Sequence, residues 1–168
     1  MNIALVAMPW SQFDAPSTAL GTLSALIRRE YPDFTVDCHY GYVDMWQRIK
    51  PVYQQISNSP LAEIMFLPLL YPEETINAAR WFAKMSDEIS IDPILGDKVF
   101  DQILRATRDN VDAVVASVGD SYDLVGFTIT YCQLFSSLAV AKKLKKKGMA
   151  ISRLTPGPPG SVGRDSST

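Results

Sequence analysis

The segment Ile3-Ala4-Leu5-Val6-Ala7-Met8 is an unbroken apolar run between Asn2 and Pro9. A run without polar alternation reads as a strand buried on both faces, and such strands belong to parallel sheets covered by helices on each side. This restricts the chain to an α/β architecture, because parallel neighbours need crossover connections. The next residues supply one. Pro9 to Pro16 reads as a loop, with Pro16 where a first helical turn accepts proline. Leu20, Leu23, Ser24 and Ile27 follow at helical spacing, Arg28 and Arg29 suit the negative end of the helix dipole, and Pro32 ends the helix. Phe34 to Tyr40 reads as a second strand. Strand, helix and strand at this spacing form a βαβ unit with a right-handed crossover.

The middle of the chain follows a different pattern. Val43, Trp46, Ile49, Tyr53 and Ile56 mark a helical face interrupted by Pro51, and Leu61 to Leu70 is short and very apolar. Pro72-Glu73-Glu74 reads as a helix start, continued by Ile76, Ala79, Phe82 and Ala83. Asp97 is expected to cap a further helix through Val99, Ile103 and Ala106 towards Val118. Residues 43–119 thus form a helical insertion, long for a βαβ crossover. A turn at Asp120-Ser121-Tyr122-Asp123 leads into a third buried strand from Leu124 to Thr130. Leu134 to Lys147 reads as a helix with Leu134, Leu138, Ala141 and Leu144 or Lys145 along its packed side. Lysines crowd its end and Gly148 caps it. Met149-Ala150-Ile151 opens an expected fourth strand, but Ser152 to Thr168 is mostly Pro, Gly, Ser and Thr, which predicts disorder. The expected organisation is an α/β domain over 1–151, an open parallel sheet with C-terminal strands missing, and a tail over 152–168.

Composition narrows the function classes. The 168 residues suit one domain. A net charge of −2 argues against a dedicated nucleic-acid binder. Two cysteines, Cys38 and Cys132, are too few for a disulfide scaffold or a cysteine-only zinc or iron–sulfur site. The single histidine, His39, excludes His-rich metal sites. The longest apolar run, Ile64 to Tyr71, is broken by Pro68 and falls short of the ~18 residues of a membrane span. Without a basic n-region at the start, the expected location is the cytoplasm.

Open parallel sheets bind ligands beyond the carboxyl ends of their strands, where the strand order reverses. Two such ends carry polar or aromatic residues: Met8-Pro9-Trp10-Ser11, and Thr128-Ile129-Thr130-Tyr131-Cys132-Gln133. Trp10 and Tyr131 read equally well as rim packing, and the threonines as β-formers. No glycine fingerprint or P-loop follows the first strand, so loop shape and hydroxyls must hold any ligand. In Asp37-Cys38-His39-Tyr40-Gly41 strand alternation puts Asp37 and His39 on one face and Cys38 on the other, a poor geometry for a Cys–His nucleophile. Glu63, Glu73 and Glu74 read as surface or helix-start acids, and the lysines of 142–147 as a solvated helix end. No residue is assigned a catalytic or metal-binding role.

Leu5-Val6-Ala7-Met8-Pro9-Trp10 is followed by Ala15-Pro16-Ser17-Thr18-Ala19-Leu20-Gly21, Pro68-Leu69-Leu70-Tyr71-Pro72-Glu73 and the segment Leu124 to Gln133. In this order and spacing they resemble the N-terminal part of cobalamin-dependent radical SAM proteins, specifically the RiPP maturation radical SAM protein 1 group (bacteriocin-type peptide maturation). The similarity runs from Met1 to about Ile151. The resemblance implies a flavodoxin-like cobalamin-binding domain, with the corrin over the carboxyl ends of the strands. It implies that Met8, Pro9, Trp10 and Ser17 line the first loop, and Thr128, Thr130, Tyr131 and Gln133 the third.

There are two departures. The Asp-x-His-x-x-Gly loop of cobalamin carriers follows their first strand. Asp37-Cys38-His39-Tyr40-Gly41 is one residue short and follows the second, so His39 is not assigned as a cobalt ligand. The family's Gly-Gly loop and C-x-x-x-C-x-x-C motif are absent, so the iron–sulfur cluster and S-adenosylmethionine belong to full-length members only. The resulting expectation is a cobalamin-binding module, truncated or frameshifted near Ile151 and catalytically silent alone. Its expected partners are a precursor peptide or a separate radical SAM chain, with no nucleic acid and no membrane. The alternatives are a non-functional remnant and a flavodoxin-like domain for another cofactor or partner.

Overall fold

The computed structural model describes residues 1–86 and 98–148. The expected Asp97 cap, the fourth strand at Met149–Ile151 and the tail over 152–168 lie outside the described residues. Strands β1 (Asn2–Ala7), β2 (Thr35–Tyr40) and β3 (Leu124–Thr128) form a parallel sheet in the order β2-β1-β3. Ile3 is paired with Val36 and Leu124, and Ala7 with Tyr40 and Thr128. The fold is α/β with an open parallel sheet, in the flavodoxin-like order.

The apolar run behaves as its composition requires. Successive residues of β1 face opposite layers. Ile3, Leu5 and Ala7 pack with Leu20 and Val36 under α1 (Thr18–Glu30). Ala4, Val6 and Met8 pack with Met45, Val114, Val125 and Val140 on the other side. No residue from Ile3 to Met8 is more than 3% exposed. Helix α1 starts after Pro16, because Ser17 takes the cap position and its Oγ accepts from Leu20 N at 3.3 Å. Arg28 in its last turn donates to Val36 O at 2.6 Å, which ties the helix to β2.

The expected insertion is helical where described. It runs through α2 (Gly41–Ile49), α3 (Tyr53–Ser57), α4 (Leu61–Ile64), α5 (Leu67–Leu70), a 3₁₀ turn (Pro72–Glu74), α6 (Thr75–Ser86) and α7 (Val99–Val118). Pro51 separates α2 from α3, and the apolar stretch 61–70 folds as two single turns. Asn110, fully buried on α7, donates to Gly41 O at 2.8 Å and to Asp44 Oδ2 at 2.7 Å, locking α7 onto α2.

Two expectations need correction. Strand β3 ends at Thr128, not Thr130. Helix α8 (Leu134–Lys146) does not bury the side carrying Leu134 and Leu138. Both are exposed, and Ser136, Ser137, Ala139, Val140 and Leu144 face inward. The buried serines let α8 approach the first loop closely, and Ser136 Oγ donates to Pro9 O at 2.6 Å. Among the described residues no helix is long and apolar enough to cross a membrane.

Candidate functional site

The chain leaves β1 towards β2 on one side and reaches β3 on the other. The loops after β1 and β3 therefore diverge, and a crevice opens between them at the carboxyl edge of the sheet. A cleft of about 400 Å³ lies there. Trp10, Ser11 and Phe13 form one wall and Thr130 and Tyr131 face them, while Gln54, Ser57 and Asn58 close the third side. Among the described residues, Asp14 is the one charged side chain that lines it.

Each wall is anchored from beneath. Trp10 is buried, with its ring 5.1 Å from Tyr53 and 6.2 Å from Phe66, and its Nε1 donates to Ala62 O at 2.7 Å. The Tyr53 hydroxyl donates to Ser11 O at 2.8 Å and accepts from Ser11 N at 3.2 Å. Burial pushes the Tyr53 phenol well above its ordinary pKa, so it stays protonated. Phe13 stacks on Trp46 at 4.7 Å, and the Lys50 ammonium lies over the same indole.

The two loops are joined by Gln133, which is 1% exposed. Its Nε2 donates to Met8 O at 2.7 Å and Ser11 Oγ at 2.8 Å. Its Oε1 accepts from Thr130 N at 3.1 Å and Thr130 Oγ1 at 2.8 Å. All four hydrogen-bonding positions of one amide are used, two within its own loop and two across the crevice. Just behind, the Glu63 carboxylate accepts from Leu134 N at 3.0 Å and Phe135 N at 2.9 Å, the first two amides of α8. Burial raises the pKa of the nearby Cys132 thiol, which favours its neutral form.

Of the residues singled out from the sequence, Trp10, Thr130 and Tyr131 line the cleft together. Met8, Pro9 and Gln133 lie buried under it and reach the loops through carbonyls and one amide. Thr128 ends β3 and Ser17 caps α1, both outside the lining. Sequence reasoning missed the wall from α3. Tyr53 and Ile56 were legible as an apolar face, and the polar Gln54, Ser57 and Asn58 beside them were the available signal.

A second cavity, of about 520 Å³, lies at the end of β2 between α2 and α7. His39 Nδ1 is 3.1 Å from Ser117 Oγ and its Nε2 is 3.3 Å from the Tyr122 hydroxyl, which donates to Asp37 Oδ2 at 3.0 Å. Asp37 and His39 thus share the α7 face as alternation requires. Cys38 packs in the α1-side cluster, away from the imidazole partners. Burial lowers the His39 pKa, with Asp37 pulling against it. Among the described residues no group of three or more His, Cys, Asp or Glu side chains is placed to hold a metal ion.

Comparison with known proteins returns no match: no protein-family model, no curated protein and no solved structure is significantly similar to the chain.

Proposed function

We propose that this chain is a cobalamin-binding module of a radical SAM peptide-maturation system, without catalysis of its own. The observation that carries the reading is a cleft at the strand-order switch point lined by aromatic rings, amides and hydroxyls, with no cation among the described residues. That lining fits a corrin, a flat apolar ring edged by neutral amides. Trp10, Phe13 and Tyr131 offer apolar faces, and Gln12, Gln54, Asn58, Ser57 and Thr130 offer donors and acceptors. Tyr131, 74% exposed at the rim, is free to turn onto a ligand wider than the cleft. No histidine lines this cleft, which favours a cobalamin held without a protein imidazole. Bound cobalamin would supply methyl transfer or a redox-active cobalt to a separate radical enzyme. The residues of this chain would hold and orient it and shield one face from water.

Titration with hydroxocobalamin tests the proposal. Binding is expected to shift the visible spectrum. With ligand at a hundred times Kd, native-state stabilisation of about 2.7 kcal/mol should raise Tm by roughly 5–11 °C. Thr130→Trp should weaken the affinity, because the indole would fill the cleft mouth. A cooperatively folded protein without spectral change refutes the reading.

A further inference from the structure

We propose that the cavity at the end of β2 is a second site, one that hydrolyses small neutral acyl esters, with Ser117 as nucleophile and His39 as its base. The hydrogen bonds around the imidazole decide which ring nitrogen carries the proton. The Asp37 carboxylate only accepts, so the Tyr122 hydroxyl donates its one proton to Asp37 Oδ2, at 3.0 Å. The Tyr122 oxygen is then left to accept from His39 Nε2, at 3.3 Å. In a neutral imidazole this makes Nδ1 the lone pair, and Nδ1 stands 3.1 Å from Ser117 Oγ. Nucleophile, base and an orienting pair behind the base are therefore in line, with Asp37 setting the tautomer through Tyr122. They come from separate parts of the fold: β2 brings Asp37 and His39, α7 brings Ser117, and Tyr122 precedes β3. Ser117 Oγ also lies 2.9 Å from Val114 O in its own helix. The rotating hydroxyl shares its proton between that carbonyl and Nδ1, and the second arrangement is the reactive one.

The surroundings suit the substrate and the charges that form. Ser117 and His39 both line the cavity of about 520 Å³, and Val43, Ala113 and Val114 give it an apolar wall for a short acyl chain. Among the described residues its lining holds Asp44 and no Lys or Arg, which favours a neutral ester over an anionic one. Gln47 brings an amide to the same lining as a donor for the carbonyl oxygen. Burial lowers the His39 pKa and so keeps the imidazole neutral and ready to accept. The negative end of α7, which stops at Val118, joins Asp37 in favouring the imidazolium that attack creates. In the reaction, Ser117 Oγ bonds to the acyl carbon and its proton passes to Nδ1. The bond from that carbon to the alkoxy oxygen then breaks, and the imidazolium returns the proton to the departing alcohol. Water attacks the acyl-serine, one of its protons passes through Nδ1 to Ser117 Oγ, and the carboxylic acid leaves. One ester and one water are consumed per cycle. The site is separate from the cleft and does not rest on the cobalamin reading, in which the chain has no catalysis within the peptide-maturation system.

The test uses p-nitrophenyl acetate with the native chain, Ser117→Ala, His39→Gln and Tyr122→Phe, each checked for cooperative unfolding. The native chain should release p-nitrophenolate about a hundredfold faster than Ser117→Ala, the scale of general acid–base assistance. Mass spectrometry of the quenched native reaction should find the acetyl group on Ser117. His39→Gln should lose both the rate and the acetylated serine. Tyr122→Phe keeps nucleophile and base but frees the tautomer, so kcat should fall while KM holds, a split that a merely structural role would not produce. It also carries the test if His39→Gln does not fold. Acetyl found only on lysine or tyrosine overturns the proposal, and so does a folded Ser117→Ala as fast as the native chain. Full activity in a folded His39→Gln overturns it as well. Hydroxocobalamin is absent from these assays, so their result and that of the titration are read separately.

Discussion

Replacing Gln133 with alanine cuts the connection between the two loops. Four hydrogen bonds are lost at once. The loss is uneven. Thr130 is exposed and Ser11 half-buried, so their freed groups regain water and each bond costs only its net worth of about 1 kcal/mol. Met8 is fully buried, and its carbonyl would be left without a donor, at about 1–3 kcal/mol. The total is about 4–6 kcal/mol, a large share of the ~5–15 kcal/mol that holds a domain of this kind together. Urea unfolding followed by far-UV circular dichroism and tryptophan fluorescence measures it. With a urea slope of ~1–3 kcal/mol per M, the midpoint should fall by roughly 1–6 M. Gln133→Glu separates charge from size. It turns the donor towards Met8 O into an acceptor, so it should be destabilising at pH 7. Burial would hold the new carboxyl above its unfolded pKa, so the variant should recover as pH falls and the acid regains a proton to donate. A Gln133→Ala loss below about 1 kcal/mol, or a Gln133→Glu variant indifferent to acid, would refute the bridge.

Two further outcomes follow from the same packing. Burial holds the folded His39 pKa below its ordinary value, despite Asp37, with Ser117 and Tyr122 as its other polar neighbours. The unfolded chain then takes up a proton that the folded chain resists. His39 should cost stability as pH falls through and below its unfolded pKa of ~6.5, and His39→Gln should flatten that part of the pH profile of Tm. A methyl group at Gly41 would sit 3.0 Å from both Met8 Sδ and Val114 Cγ2, where α7 packs on the start of α2. Gly41→Ala should cost about 1–3 kcal/mol in urea unfolding, with an unchanged value showing that this contact relaxes freely.

Much of the sheet could be read from residues in order. The run Ile3–Met8 needed no partner in view to declare itself buried on both faces, and Pro32, Pro51 and Gly148 mark the breaks their backbone chemistry dictates. The misreading of α8 has a definite cause. Two stripes at helical spacing compete on that helix, and apolarity favours Leu134-Leu138-Ala141. The stripe that won carries Ser136 and Ser137, whose small side chains permit close approach to Pro9. Periodicity ranks stripes by hydrophobicity and is blind to how near the neighbour stands. The site divides along the same line. Trp10, Thr130 and Tyr131 sit at strand ends and follow from topology. Gln54, Ser57 and Asn58 stand out locally only as polar residues beside an apolar face, and they line the cleft because of where α3 packs, a tertiary fact. Glu63 caps α8 from far away in sequence, and Gln133 combines a local contact to Thr130 with bonds to Met8 and Ser11 far earlier in the chain.

The pairing of β1 has a consequence for how the chain is made. Ile3 lies beside Val36 on one flank and beside Leu124, far later in the sequence, on the other. At ~5–20 residues per second, that second flank stays without its neighbour for roughly 6–24 s of synthesis. Through that interval the greasiest stretch of the nascent polypeptide is half-finished ribbon, with open backbone amides along one side. The helices between β2 and β3 emerge during the same wait, and those that settle on β1 early would act as its chaperone in cis. Slowing translation between residues 41 and 118 lengthens that exposure and should therefore lower the soluble yield of this protein.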